Sequence, residues 1–423
     1  MREKLLNLIL IGLLAVSWLP ITSALASSAT FPWAVRLPSV ADTWSALPNH
    51  GLNGGVLSLA VIGSDLYAGG AFTQTSDGTV TNLNHIARYH AGVWLPLAHA
   101  GLNGIVYSLA VIGSDLYVGG SFTQSADATL TNLKTVASYN TVTGVWSALA
   151  HNGLNNVVRA LAVMGNDLVA GGDFSQAADG AVTNLNLIAR YSAGAWLPFA
   201  NTGLSNPGGS SGTAGVYAIA VTGSNLYVGG TFNQTADGTL KNLNNIALFA
   251  GGGWAALTHA GLNETYVLAL AMSGSDLYIG GIFTQTSDGV VTGLNNIARY
   301  HTLTSTWSGL AHTGLNQFVY ALSVNGSSLY VGGNFIRTAD NGVTNLNTIA
   351  SYDTATDTWS ALANNGLDGT YVFAFAEMGN RLYTGGFFGE TFDKTVTNLN
   401  DIARLDRPVV TGPIHAYLPA VTR

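Results

Sequence analysis

The chain has 423 residues, 48% hydrophobic but only 9% charged, with a formal net charge of −7 and no cysteine. No run of Lys or Arg occurs, so the attraction that supplies most nucleic-acid affinity is missing; without cysteine there are no disulfides, thiolate metal sites or thiol nucleophiles. The exterior must instead be covered by Thr, Asn, Ser and Gly, and stability must come from packing and strand pairing.

Residues 1–26 read as an export signal: Arg2 and Lys4 lead into an apolar run from Leu5 to about Leu19, and Ala24-Leu25-Ala26 forms a small-residue cleavage site. The run is short and ends at Pro20, unlike a membrane anchor. This predicts a secreted or cell-surface protein with no membrane span in the mature chain. Residues 27–39 read as a leader, 40–406 as a repeat domain and 407–423 as a tail.

From Val56 onward a unit of about fifty residues recurs, a period that signals a propeller or solenoid. Its marker is a glycine pair, first at Gly69-Gly70 and last at Gly385-Gly386, seven in all. Each unit reads as four short strands. In the first, "VLSLAVIG" (Val56–Gly63) alternates, "DLYAGGAF" (Asp65–Phe72) runs back, and "HIARYH" (His85–His90) and "VWLPL" (Val93–Leu97) follow a polar loop. The fourth strand carries a tryptophan: Trp44, Trp94, Trp146, Trp196, Trp254, Trp307 and Trp359. Tryptophans and glycine pairs are offset, because Trp44 precedes the first pair and no tryptophan follows the last. Ring closure explains the offset: the strand around Trp44 becomes the outer strand of the last blade, whose other strands end at Asp406. The expected fold is all-β, a seven-bladed β-propeller of four-stranded antiparallel blades, the last closed by the N-terminal strand.

A double glycine ending the second strand, then a tyrosine, then a tryptophan resembles the kelch repeat, and "ASYDTATDTWSAL" (Ala350–Leu362) is similar to its Tyr-Asp…Trp segment. The resemblance covers all seven repeats, roughly residues 40 to 406, and implies the propeller fold. Phe249 and Leu405 depart from it in the tyrosine position, and the loop after the glycines is longer than the kelch consensus. Function does not follow from this fold, which carries unrelated tasks. Galactose oxidase is built on such a propeller, but its cofactor resembles a tyrosine crosslinked to cysteine, and no cysteine is present here.

Long loops follow the second strand, as in "TQTSDGTVTNLN" (Thr73–Asn84), and the fourth, as in "AHAGLNG" (Ala98–Gly104). In a meander both emerge at one end of the disc, where binding is expected. Every long loop holds an aspartate, from Asp77 to Asp393. These read either as a calcium ring or as Asp-Gly turns that cap local amides; one Asp per loop is too few for the six or more oxygens calcium needs, which favours the turns. Four of the other loops hold His99, His151, His259 and His312, and three hold Asn49, Asn201 and Asn364. The Asn substitutes read as a polar loop contact that either residue makes, rather than a metal site. No metal or cofactor is expected.

Positions that differ between units say more about function than those that recur. One opens the first strand near the long-loop face: Leu57, Tyr107, Arg159, Tyr217, Leu268, Tyr320 and Phe373. Tyr107, Arg159, Tyr217, Tyr320 and Phe373 are the candidate ligand-binding residues, since rings stack on sugar or side-chain faces and Arg forms bidentate bonds. The alternative is that they pad the gaps between blades. A further asymmetry is the insertion "SNPGGSSGTAG" (Ser205–Gly215), either a lid or a tolerated insertion. No catalytic motif is visible, and Glu264, Glu377 and Glu390 are the only glutamates after the signal. The expectation is a monomeric, exported, non-enzymatic module recognising a glycan or an extracellular protein. The alternatives are an extracellular carbohydrate-active enzyme or a structural envelope protein.

Overall fold

The computed structural model describes residues 41–207, 214–264 and 266–407. The predicted export signal, leader and tail beyond Arg407 lie outside the described residues, as does the middle of the Ser205–Gly215 insertion.

Seven four-stranded antiparallel sheets form the seven blades, numbered here in chain order. Blade one consists of Val56–Ile62, Asp65–Gly70, Ile86–His90 and Val93–Pro96, counted from the inside. Blade seven joins Leu367–Met378, Arg381–Thr391 and Ile402–Asp406 to the N-terminal strand Thr43–Ala46. That strand pairs antiparallel with Ile402–Asp406, and Trp44 stands opposite Leu405. The expected closure is present, and the fold is the seven-bladed propeller read from the sequence. A small ladder not foreseen there pairs Leu204–Ser205 with Gln234–Thr235.

The core consists of layers between blades. The layer between blades one and two holds Tyr67, Ile86, Leu102, Val106, Leu116 and Trp146; between blades seven and one, Tyr383 and Ile402 meet Leu47, Val56 and Trp94. Each fully buried Leu, Ile or Val adds roughly 1.5–3 kcal/mol to the hydrophobic term. The glycine pair sets the spacing of these layers. A Cβ on Gly69 would lie 2.4 Å from Val106 Cγ1 in the next blade, while one on Gly70 would lie 2.1 Å from the Gly55 carbonyl oxygen of its own blade. Blade-to-blade approach therefore needs the first glycine, and the second admits the neighbouring strand of the same blade.

Tryptophans tie successive blades together. Trp146 Nε1–H donates to the Ala98 carbonyl at 3.0 Å, in the turn that follows the preceding blade, and Trp44 donates likewise to Ala363 across the seam between blades six and seven. Trp196, Trp254, Trp307 and Trp359 repeat the bond. Trp94 does not: its indole nitrogen is buried without a partner.

Candidate functional site

Every inner strand slips register at the same place. In blade one Val56 pairs with Gly70 and Ser58 with Gly69, which leaves Leu57 between them unpaired. The same slip isolates Tyr107, Arg159, Tyr217, Leu268, Tyr320 and Phe373. A bulge kinks its strand and re-aims the extra side chain. Here all seven bulge residues, with the small residues beside them, line one cavity of about 490 Å³ built by all seven blades. Tyr107, Arg159, Tyr217, Tyr320 and Phe373 are thus brought together, each half-buried rather than sealed in a junction.

One side of this mouth is polar. Arg159 donates from Nε to Asp173 Oδ1 and from Nη2 to Oδ2, both at 2.7 Å. Its guanidinium carbon lies 5.0 Å from the Tyr217 ring centroid and 5.7 Å from that of Tyr107. The face expected to grip a ligand is therefore held by Asp173, whose side chain is 8% exposed. Gly215 makes room for this arrangement, since a Cβ there would sit 2.7 Å from Asp173 Oδ1. Burial pushes the Tyr217 hydroxyl above its ordinary pKa, and burial with the neighbouring Tyr371 does the same for Tyr320, so both remain neutral.

The other side is aromatic. Tyr320 meets Phe373 at 5.1 Å and Tyr371 at 5.4 Å between ring centroids, and Phe387 meets Phe373 at 5.9 Å. Phe387 is 40% exposed and lies over Gly55, where an added Cβ would strike its ring at 2.2 Å. Sequence reasoning missed Asp173, Tyr371 and Phe387. The signal was available: the residue after each glycine pair also differs from blade to blade, as Ala71, Ser121, Asp173, Thr231, Ile282, Asn334 and Phe387.

The loop aspartates and the His or Asn residues, read apart in the sequence, make one contact. Asp77 Oδ1 accepts from the Thr79 amide at 3.0 Å and from Thr75 Oγ1 at 2.8 Å, while Oδ2 accepts from Asn49 Nδ2 at 3.2 Å. His99 Nδ1 takes the place of that amide against Asp127 at 2.9 Å. All seven blades carry this loop staple. The bonds hold these carboxyls below the usual carboxylate range, led by the Thr79 amide for Asp77 and the Ser125 hydroxyl for Asp127. Each carboxylate serves its own turn, one per blade. In the adjoining turn, Gly153 has φ 99° and ψ −142°, a conformation open only to glycine.

Glu264 and Glu377 do not come together. Asn245 donates to the Glu264 backbone carbonyl, whereas Glu377 lies at the other end of the disc and takes bonds from Arg407 at 2.8 Å and from Asn325.

No protein-family model matches the chain. A stretch of 110 residues is 33% identical to the polarized growth protein L1 of a Phoma species, covering 26% of this chain and 8% of that protein. Among solved structures, the WD40 β-propeller domain of Doa1 aligns with a TM-score of 0.49 and 13% identity, over 86% of this chain and 96% of that one. The computationally designed Ika8 protein aligns with a TM-score of 0.46 and 15% identity, over 86% and 98%. The sheet order defines the class: a seven-bladed β-propeller. Among the described residues no helix is long and apolar enough to cross a membrane.

Proposed function

We propose that this chain is an exported, monomeric, kelch-type binding module without catalytic activity, which takes a glycan or protein partner at the bulge-lined mouth. One observation carries the reading: a scaffold that repeats its valine, glycine pair and tryptophan seven times places unlike residues at a single bulge position, and every bulge faces the same cavity. The kelch assignment is supported by the glycine pairs and by tyrosine–tryptophan stacks such as Tyr139–Trp146 at 4.9 Å. Export is supported by the sequence of residues 1–26.

The chemistry of the mouth narrows the partner. Among the described residues Arg159 is the one charged side chain lining the cavity, and Asp173 neutralises it. Arg159 Nη1 and the Tyr107 and Tyr320 hydroxyls face the cavity as donors to hydroxyl or carbonyl oxygens, while the Tyr217 hydroxyl bonds to Thr231 and Tyr320 and Phe373 offer apolar ring surface. An uncharged sugar meets both demands, and the side chains of an extended peptide meet the second. The test is a broad glycan array probed with residues 27–423, with and without calcium. The reading predicts a reproducible hit, indifferent to calcium and weakened by Arg159→Ala or Tyr217→Ala; a blank in both conditions contradicts the glycan reading and leaves a protein partner.

A further inference from the structure

Six blades carry a tyrosine on the second strand whose ring enters the junction with the following blade: Tyr67, Tyr117, Tyr227, Tyr278, Tyr330 and Tyr383. The hydroxyls of Tyr67 and Tyr227 bond to Thr141 and Thr302 in the turn of that blade. Blade three breaks the rule. It has Val169 at this position, and blade four has Gly251 in place of the threonine and Phe249 in place of the facing tyrosine. The junction between blades three and four consequently lacks a phenol ring and its hydrogen-bond partner.

What stands there is a cleft of about 590 Å³ that shares no lining residue with the mouth. Met164, Pro198, Phe199 and Phe249 wall it, and the two phenylalanine rings meet edge to face at 4.9 Å. Arg190 and Asp167 stand at its rim. Arg190 is the cross-strand partner of Val169, as Arg88 is of Tyr67. Arg88 grips Asp65 at 2.6 Å, but Arg190 reaches Asp167 only at 3.7 Å and its side chain is 41% exposed. The cleft thus sets a wall of two phenylalanine rings beside a loosely held guanidinium.

We propose that this cleft is a second binding site, which takes a small aromatic carboxylic acid: its ring lies against Phe199 and Phe249 and its carboxylate displaces Asp167 as the partner of Arg190. The observation is independent of the mouth. The test is titration of residues 27–423 with phenylacetate, followed by calorimetry and ligand-observed NMR. Saturable binding is expected. Val169→Tyr, which restores the ring found in the other six blades, abolishes it. Arg190→Ser, the residue of blades two and six, weakens it by about tenfold or more, as loss of a charge-assisted hydrogen bond requires; Tyr217→Ala at the mouth leaves it unchanged. Absence of saturable binding, or an affinity unchanged by either cleft variant, overturns the proposal. If Val169→Tyr does not fold, Arg190→Ser alone decides it.

Discussion

The long-loop face carries two belts with opposite habits. The outer belt makes one contact seven times, an aspartate stapled to a His or Asn of the adjoining loop. The inner ring keeps its backbone geometry seven times, the same bulge after the same valine, but changes its side chain from Leu57 to Tyr107 to Arg159. A scaffold asks every blade for the same residue wherever packing or turn geometry depends on it. Where backbone repeats and side chain does not, the side chain is free to serve something other than the ring.

If that division holds, substitutions in the recurring set damage stability, and those in the varying set leave it nearly intact. The largest effect is expected at Gly280→Ala, where the new Cβ would lie 2.4 Å from Val319 Cγ1. A β-branched residue on a packed strand has little room to turn away, so overpacking costs about 1–3 kcal/mol. Denaturant unfolding should show a lower midpoint at constant slope; an unchanged midpoint would mean that the blades are not held at glycine distance.

Asp401 sharpens the comparison from a third kind of position, one that varies as His85, Thr135, Leu187, Asn245, Asn296 and Thr348 in the other blades yet does not line the mouth. In blades four and five the equivalent residues, Asn245 and Asn296, donate to the Glu264 and Leu315 carbonyls at 2.8 and 3.0 Å. An ionised carboxylate cannot donate, and burial raises the Asp401 pKa to about 7. Its folded pKa lies above the unfolded value, so the contribution to stability is present below about pH 4 and is lost as pH rises through 7. Asp401→Asn is therefore expected to raise stability at pH 8 by about 1–2 kcal/mol, the scale of one recovered hydrogen bond, with the gain shrinking toward pH 4. A gain that does not vary with pH would contradict this.

Next in size are the indole bonds. Trp146→Phe and Trp94→Phe both lose ring area, but only Trp146 loses a hydrogen bond. The first should cost about 1 kcal/mol more than the second, measured by paired denaturant melts; equal losses would show that the bond carries no stability. The smallest effect belongs to a single staple. The seven loop aspartates have folded pKa values below their ordinary one, so their contribution is full above about pH 4 and fades as pH falls further. Thermal melts between pH 6 and pH 3 should show that loss, and Asp237→Asn should flatten it by one small step.

Ring closure was legible because the offset between Trp44 and the first glycine pair is a matter of counting. The mouth residues were legible because one position varied against a constant background. The bulge that gathers them was not, since the extra residue in Val56-Leu57-Ser58 disturbs alternation too little to be distinguished from an ordinary strand. Asp173 went unread for a related reason: its pairing with Arg159 depends on the shifted register between two strands, a property of neither alone. His99 and Asp127 looked like separate loop features because 28 residues part them in the chain, whereas the meander sets their loops side by side. Val169 was countable, since the other six units carry a tyrosine two residues before the glycine pair; which blade junction that ring enters was not.

The most direct test of the division between the two belts is a glycan array run on three proteins in parallel: the native residues 27–423, the mouth variant Tyr320→Ala/Phe373→Ala, and the staple variant Asp237→Asn. The account predicts that the mouth variant keeps its circular-dichroism spectrum and loses the ligand, while the staple variant keeps the ligand. Loss of the ligand in the staple variant, with binding retained by the mouth variant, would contradict it.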